Sequence, residues 1–543
     1  MMKCKPTINC LSPTICILLT ILCYSPVSSA DKPDWKKEQA DWRMTGGNKI
    51  KSIRYPKDRQ PPTLAHPGKG PKQPIKKSIY PAGKTGPAIL ANVIESPPTN
   101  GFVPWVAVIV TDKRLAELEL EAVPTTTITG NNPPGYNPQT DYAIGIFDTG
   151  ASAHVMANAD AVQSGLFAGN LVSDNPVDIS GVIGSVEALV SQPIGIFTDG
   201  LGAIDSGGLF TDTSGVVGMY NTAIIVGKAV TPPAPDLPTA IGTPLAVYYT
   251  AVIHNDQQIS ISHGGQQYTG PAVTFHEQSD SAIPDYSIRV PLELRPLGGI
   301  SVQYVPYINI FDAFEDIFNI DFSTPQTPSV IMGNLSQSVF FVHSVDLAES
   351  DKTAIDKDRF MLDTGAQVTV VGSRIGARLG VNPANPDFEV EIQGVTGQSE
   401  WFPAFYIDSV KIPALGEWLV FENVPVVLID VASPEGGTLD GIIGMNLFAY
   451  SNIVLRGGGL FLHDDPSLEV QFTGIPGDIA PDDGDDIVNI TDLAFIASHW
   501  LETTASPGWN PACDLAPVAS PDGIVNFPDF AVLAGYWGSA ITP

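Results

Sequence analysis

The sequence predicts a mainly β protein of two pseudo-symmetric lobes, followed by a small α-helical tail. Three observations carry that prediction. Glycine (51) and proline (48) are abundant in the 543 residues, and few stretches keep the apolar period of a long amphipathic helix, which favours strands joined by many turns. A block ending in Asp-Thr-Gly-Ala occurs twice, with further landmarks following each copy in the same order. The stretch beyond Gly477 repeats a short acidic loop before a helical apolar pattern.

A chain of this length exceeds one ordinary core. We divide it into residues 1–30 as an export signal, 31–96 as a basic proline-rich leader and 97–232 as the first lobe. Residues 233–335 follow as an inter-lobe region, 336–470 as the second lobe and 477–543 as the tail. The signal has a cationic start at Lys3 and Lys5, an apolar run around Ile15 to Leu22, and the small residues Ser28-Ser29-Ala30 that suit a signal peptidase. A lipidated Cys23 is the rival reading, disfavoured by the bulky Leu22 before it. The expected location is therefore extracellular or at the cell surface. Four of the five cysteines lie in the signal, which leaves Cys513 alone in the mature chain and no internal disulfide. No later stretch is long and apolar enough to span a membrane.

Charge is divided unevenly. Residues 31–84 hold 14 Lys+Arg against 5 Asp+Glu, whereas from Thr85 onward there are 12 against 53. So acidic a body argues against a nucleic-acid partner. The leader reads either as a disordered spacer or as a propeptide that docks electrostatically on the acidic body. Proline clusters punctuate the chain, and the one opening at Pro232-Pro233 and running through Pro244 suits a lobe boundary. Runs rich in β-branched and aromatic residues mark strands at Trp105 to Val110, Val247 to Ile253, Ser301 to Ile308 and Val339 to Val342.

The duplicated block gives the lobes their internal symmetry. One copy reads Ile144-Gly-Ile-Phe-Asp148-Thr149-Gly150-Ala151 and the other Phe360-Met-Leu-Asp363-Thr364-Gly365-Ala366. A Gly-Val-x-Gly turn follows each, at Gly181 to Gly184 and at Gly394 to Gly397. An apolar pair before Gly-Met comes later, ending at Gly218-Met219 and Gly444-Met445.

An apolar strand running into Asp-Thr-Gly delivers a carboxyl to an apolar setting, with Gly allowing a tight turn and the Thr hydroxyl free to bridge to a neighbouring loop. Two such loops face to face put two carboxyls close together. They cannot both ionise easily and so share a proton. One can then draw a proton from water while the other protonates a carbonyl oxygen.

These residues resemble the pepsin and retropepsin superfamily of aspartic peptidases over roughly Phe102 to His463. The resemblance implies an acid-protease fold. It implies Asp148 and Asp363 as the catalytic pair, supported in their loops by Thr149, Gly150, Thr364 and Gly365, with hydrolysis of peptide or protein substrates and no catalytic cofactor. It further implies that Gly218 and Gly444 pack beneath the two catalytic loops and that the Gly-Val-x-Gly turns are flap-like hairpins. Ala151 and Ala366 follow the retropepsin pattern, and no tyrosine occupies the Ser180 to Ser185 turn, where pepsins carry one. Asp212-Thr-Ser-Gly215 is a decoy without the required spacing. His154, near the first motif, reads as a surface or loop histidine. His276-Glu277 lacks the second histidine of a zinc helix, and Cys513 has no nearby histidine to make it a nucleophile. With both motifs in one chain, a monomer is the simplest expectation. A non-catalytic binding or scaffold protein of the same fold is the competing reading.

In the tail, Asp485, Asn489 and Asp492, then Asp522, Asn526 and Asp529, recur at matching offsets and offer hard oxygen ligands of the kind Ca2+ takes. Apolar residues follow at Leu493, Ile496, Ala497 and Trp500 and at Phe530, Leu533, Ala534 and Trp537, each set on one helical face. The run from Asp522 to Asp529 resembles the loop of bacterial type I dockerins, which implies an EF-hand-like calcium module and a cohesin-like or cell-surface partner. In the first copy Asp486 stands where the resemblance expects Gly.

Overall fold

The computed structural model describes residues 49–54, 75–81, 88–95, 97–111, 132–180, 185–192, 194–230, 236–278, 280–296, 330–332, 338–355, 360–393, 399–432, 438–458, 465–472, 490–510, 513–515 and 523–535. The export signal, the strand expected at Ser301 to Ile308 and both Gly-Val-x-Gly turns lie outside these residues.

Strands dominate, and among the described residues they assemble into two sheets. Their order repeats. Across the first sheet run Val172–Ser180, Ser185–Ser191, Ile225–Gly227, Val155–Met156, Ala240–Gly242, Ala143–Asp148, Trp105–Thr111 and Ile194–Gly200. Across the second run Phe388–Gln393, Ser399–Ala414, Glu417–Leu428, Thr369–Val371, Gly441–Ile443, Phe360–Leu362, Ser338–Val342 and Ile288–Pro296. In both sheets the successive pairings are antiparallel, antiparallel, parallel, antiparallel, parallel, antiparallel and antiparallel. The parallel steps flank each Asp-Thr-Gly strand's neighbourhood, where both faces are covered and the residues are accordingly apolar. Ala143–Asp148 and Phe360–Leu362 are buried along their entire lengths.

Ala240–Gly242 overturns one expectation. It lies inside the proline-rich stretch beyond position 232, yet it pairs in parallel with Ala143–Asp148, in register Ile241 with Phe147 and Gly242 with Asp148. In the second sheet Gly441–Ile443 pairs with Phe360–Leu362 in the same sense. The counterpart of Gly444 is therefore Gly242. Gly218 instead pairs with Phe197 of Ile194–Gly200 and with Val330, away from the Asp148 strand. The reason is steric as well as topological. A Cβ on Gly242 would sit 2.4 Å from the Ala153 carbonyl oxygen, and one on Gly444 would sit 2.5 Å from that of Val368, so both places accept only glycine.

The long hairpin Tyr249–His263 and Gln266–Glu277 ties the sheets together. Its first strand bonds to Ser451–Arg456 of the second sheet, while Phe275 packs edge-on against Phe147, with ring centroids 5.3 Å apart, and Tyr268 against Trp105 at 5.2 Å. Such aromatic contacts add to the apolar area that the hairpin buries. One continuous apolar core reaches from Val106 and Phe147 through Ile253 to Leu362 and Phe448.

Three segments of the basic leader are also strands. Lys49–Arg54 pairs antiparallel with Phe388–Gln393, and Ile75–Pro81 pairs with Ala88–Glu95, which runs parallel to Glu417–Leu428. Arg54 binds Glu389 at 2.6 Å and lies over the Trp401 ring, and Ser52 donates to Glu391 at 2.7 Å. In the first half, Lys228 pairs with Glu187 of the neighbouring strand Ser185–Ser191.

The tail forms helices Ile490–Ser498 and Phe527–Gly535 over a small core of Ile496, Cys513, Val525 and Leu533. The apolar faces are narrower than the periodicity predicts, since Ala497 and Ala534 are exposed. Leu501 N–H donates to Val525 O at 2.8 Å and Val525 N–H to Glu502 O at 3.0 Å, joining the first repeat to the second. No helix among the described residues is long and apolar enough to cross a membrane.

Candidate active site

The two Asp-Thr-Gly motifs end neighbouring strands of different sheets and meet. Thr149 N–H donates to Thr364 Oγ1 at 3.1 Å, and Thr364 N–H donates to Thr149 Oγ1 at 3.0 Å. Each hydroxyl then donates across the junction, Thr149 to Leu362 O at 2.9 Å and Thr364 to Phe147 O at 2.6 Å. All four bonds are buried. A buried bond replaced by nothing costs about 1–3 kcal/mol, so this reciprocal lock fixes the two loops relative to one another.

Inside each loop the glycine turn brings two backbone N–H groups onto one carboxylate oxygen. Gly150 and Ala151 donate to Asp148 Oδ1 at 2.8 and 3.1 Å. Gly365 and Ala366 donate to Asp363 Oδ1 at 2.9 and 3.0 Å. The matching distances hold both carboxyls in one orientation relative to their loops. Asp148 and Asp363 are fully buried. Burial first, and the facing Asp363 carboxyl second, push Asp148 well above the usual carboxylate range, and the two N–H donors only partly offset this. Among the described residues no N–H or hydroxyl donor reaches Asp148 Oδ2. The Asp363 carboxyl is within hydrogen-bonding reach of Asp148, and a bond between two carboxyls requires that one carry a proton. Two acids with a single shared proton are the arrangement that supplies an acid and a base together.

In the first half, the floor of the site uses residues that the sequence did not single out. Thr243 N–H donates to Ala151 O at 2.8 Å, as Met445 N–H donates to Ala366 O at 2.8 Å. Thr243 Oγ1 also donates to Thr149 O at 2.7 Å. Ala240-Ile241-Gly242 is an apolar pair before glycine, which is the signal that could have found this strand, but Pro238 and Pro244 on either side disguise it as linker.

His154 is not at the surface. It is fully buried, its Nδ1 accepts from Gly242 N–H at 3.1 Å, and its Nε2 lies 3.2 Å from Met219 Sδ. Asp212 makes an exposed turn in which its Oδ1 accepts from Ser214 N–H at 2.9 Å, as the decoy reading expects. The hairpins that bracket the two Gly-Val-x-Gly turns are formed.

Among the tail residues, Asp485, Asn489 and Asp522 lie outside the described residues. Asp492 and Asp529 are fully buried in the first turns of their helices. Asp529 Oδ2 accepts from Asn526 N–H at 2.6 Å, and Asp514 Oδ2 from Gly523 N–H at 2.8 Å. Among the described residues no three His, Cys, Asp or Glu side chains converge as a metal site would require. Buried carboxylates beside such loops do fit a hard cation in donor type. Cys513 is buried and unpaired, its thiol pushed up to about 12 chiefly by that burial, which suits packing and not nucleophilic attack.

A family model described as aspartyl protease matches residues 351–447, the stretch from before Asp363 to just past Gly444. Among solved structures the chain is similar to the aspartic proteinase from Irpex lacteus, at 12% identity and a TM-score of 0.32, over 69% of this chain and 97% of that one. No curated protein matches. The second motif and its glycine floor thus belong to a segment with aspartyl protease character. The first motif is joined to it by the threonine lock.

Proposed function

We propose that the protein is a secreted, two-lobed aspartic endopeptidase in which Asp148 and Asp363 activate a water for attack on a peptide carbonyl. The observation that carries this reading is the reciprocal lock between Thr149 and Thr364. It brings together two motifs 215 positions apart, and equivalent N–H pairs within each loop orient both carboxyls. In the reaction the ionised member of the pair takes a proton from the water as its oxygen bonds to the carbonyl carbon. The protonated member gives its proton to the carbonyl oxygen. The resulting gem-diol collapses with a proton passing to the leaving nitrogen, so that the C–N bond breaks and the dyad returns to its starting charge. The setting is apolar, which strengthens these interactions. One chain supplies both acids, which supports a monomeric enzyme.

The tail is proposed to bind Ca2+ through Asp485, Asn489 and Asp492 and through Asp522, Asn526 and Asp529, and to attach the enzyme to a cohesin-like or cell-surface partner. Support comes from the two buried carboxylates of the helix first turns and the repeat of their spacing. Bound Ca2+ would supply charge compensation for them. A calcium titration followed by thermal unfolding tests it, with a rise in the tail's unfolding temperature expected and no shift overturning it.

The deciding experiment on the dyad incubates the protein with a peptide library from about pH 3 to about pH 8, beside the Asp363→Asn variant. Cleavage by the first alone, blocked by a mimic of the tetrahedral gem-diol, is expected. No cleavage at any pH, with residues 31–96 present or removed, overturns the proposal in favour of a binding scaffold.

A further inference from the structure

We propose that His154 is the positioning residue of the first half of the site, its neutral ring holding the Asp148 loop as the Thr369 hydroxyl holds the Asp363 loop. The inference deepens the peptidase reading and rests on it. His154 and Thr369 stand six residues beyond Asp148 and Asp363 respectively. Each presents one acceptor to the glycine beneath its loop: Gly242 N–H donates to His154 Nδ1 at 3.1 Å, and Gly444 N–H donates to Thr369 Oγ1 at 3.3 Å. Gly242 is in register with Asp148, and the next residue, Thr243, bonds to both Ala151 O and Thr149 O. A displacement of Gly242 is therefore passed directly to the residues that orient the Asp148 carboxyl.

The two acceptors differ in one property. Thr369 donates onward to Asn446 Oδ1 at 2.8 Å and has no charged form. An imidazole accepts at Nδ1 only while that nitrogen is unprotonated, which fixes the Nε2–H tautomer here. The surroundings keep it so. The strands Val217–Thr222, Ile225–Gly227 and Ala240–Gly242 beside it bring no Asp, Glu, Lys, Arg or His, and its own segment to Met156 holds only Asp148 besides. Burial without a counter-charge pushes the imidazole down to about 3. Acid strong enough to protonate it turns an acceptor into a donor aimed at Gly242 N–H. The first half of the dyad is then the half that acid disarms.

Two substitutions separate positioning from bulk packing. His154→Asn supplies an acceptor that does not titrate, whereas His154→Leu fills space and leaves Gly242 N–H without one. With the full chain, His154→Leu is expected to lose about tenfold or more in kcat with KM within about twofold. His154→Asn is expected to retain kcat and to carry it further into acid than the wild type. In wild-type protein labelled at the histidine nitrogens, the signal removed by His154→Asn should show an unprotonated Nδ1 from neutral pH to about pH 4. A His154→Leu variant that folds and keeps the wild-type kcat and pH profile overturns the proposal. So does a His154 signal that titrates near the ordinary 6.5 of the free side chain, or one showing the Nδ1–H tautomer. If His154→Leu does not fold, the acid limb of His154→Asn decides, and an unchanged limb counts against the proposal. A wild-type protein that cuts no peptide yet shows the expected tautomer sinks the peptidase reading alone.

Discussion

The two halves of the site share a backbone plan and differ in the side chains that brace it. Seven successive strand pairings agree in order and sense, and the carboxylate N–H distances agree within 0.1 Å. Beneath the loops, however, a histidine and a methionine sulfur brace one half, while a threonine and an asparagine amide brace the other. Sheet topology and the turn at Asp-Thr-Gly are thus what the duplication demands. The acceptor under each glycine needs only to be present.

If the halves are equivalent in chemistry, Asp148→Asn and Asp363→Asn should each remove at least about a thousandfold from kcat/KM. Residual activity in one variant alone, measured by single-turnover cleavage, would break the equivalence. Next in size are the floor glycines. Gly242→Ala and Gly444→Ala force a methyl group to 2.4 and 2.5 Å from a backbone oxygen, and each should cost about 3 kcal/mol or more in urea unfolding, a result that a Gly218-centred floor does not predict for Gly242. The lock should respond symmetrically. Thr149→Val and Thr364→Val each orphan a buried N–H and a buried carbonyl, for about 1–3 kcal/mol apiece, and the double variant should depart from the sum because all four bonds close one junction.

The smallest effect sharpens the asymmetry. Asp199, in the first sheet, is pushed up to about 7, chiefly by burial, with the Asp212 charge adding to it against the Gly200 N–H. Its folded-state value lies above the unfolded one, so the folded state holds the proton more tightly. Its contribution to stability is present in acid and falls as pH rises from about 4 to about 7. Asp199→Asn keeps an acceptor for Gly200 and should flatten that part of the pH–stability curve in chemical denaturation. His154 acts in the opposite sense, since its depressed value makes stability fall as pH drops from about 6.5 toward about 3.

How much of this could be read from the residues follows from which interactions are local. Asp-Thr-Gly after an apolar run fixes a strand, a turn and a carboxyl within a few positions, so both motifs and the strands at Trp105 and Val339 were legible. The floor strand was not. Ala240–Gly242 is three residues long, too short for any period, and only its pairing with a strand almost a hundred positions earlier gives it meaning. Gly218-Met219 imitates Gly444-Met445 in letters but bonds to different neighbours. The leader strands were hidden for the same reason, because a basic, proline-rich composition looks alike in a spacer and in a strand borrowed by a distant sheet. His154 was misjudged because a lone histidine says nothing about the carbonyls and amides that will surround it.

Lys49–Arg54 lies along the outermost strand of the second hairpin, with Arg54 stacked on Trp401 and salt-bridged to Glu389. A strand in that position satisfies backbone groups that would otherwise stand open as a template for another chain. Trimming the leader would therefore do more than shorten the protein. It would bare a sticky margin carrying Glu389 and Glu391, and the shortened protein would have to stay apart from its own copies by charge repulsion.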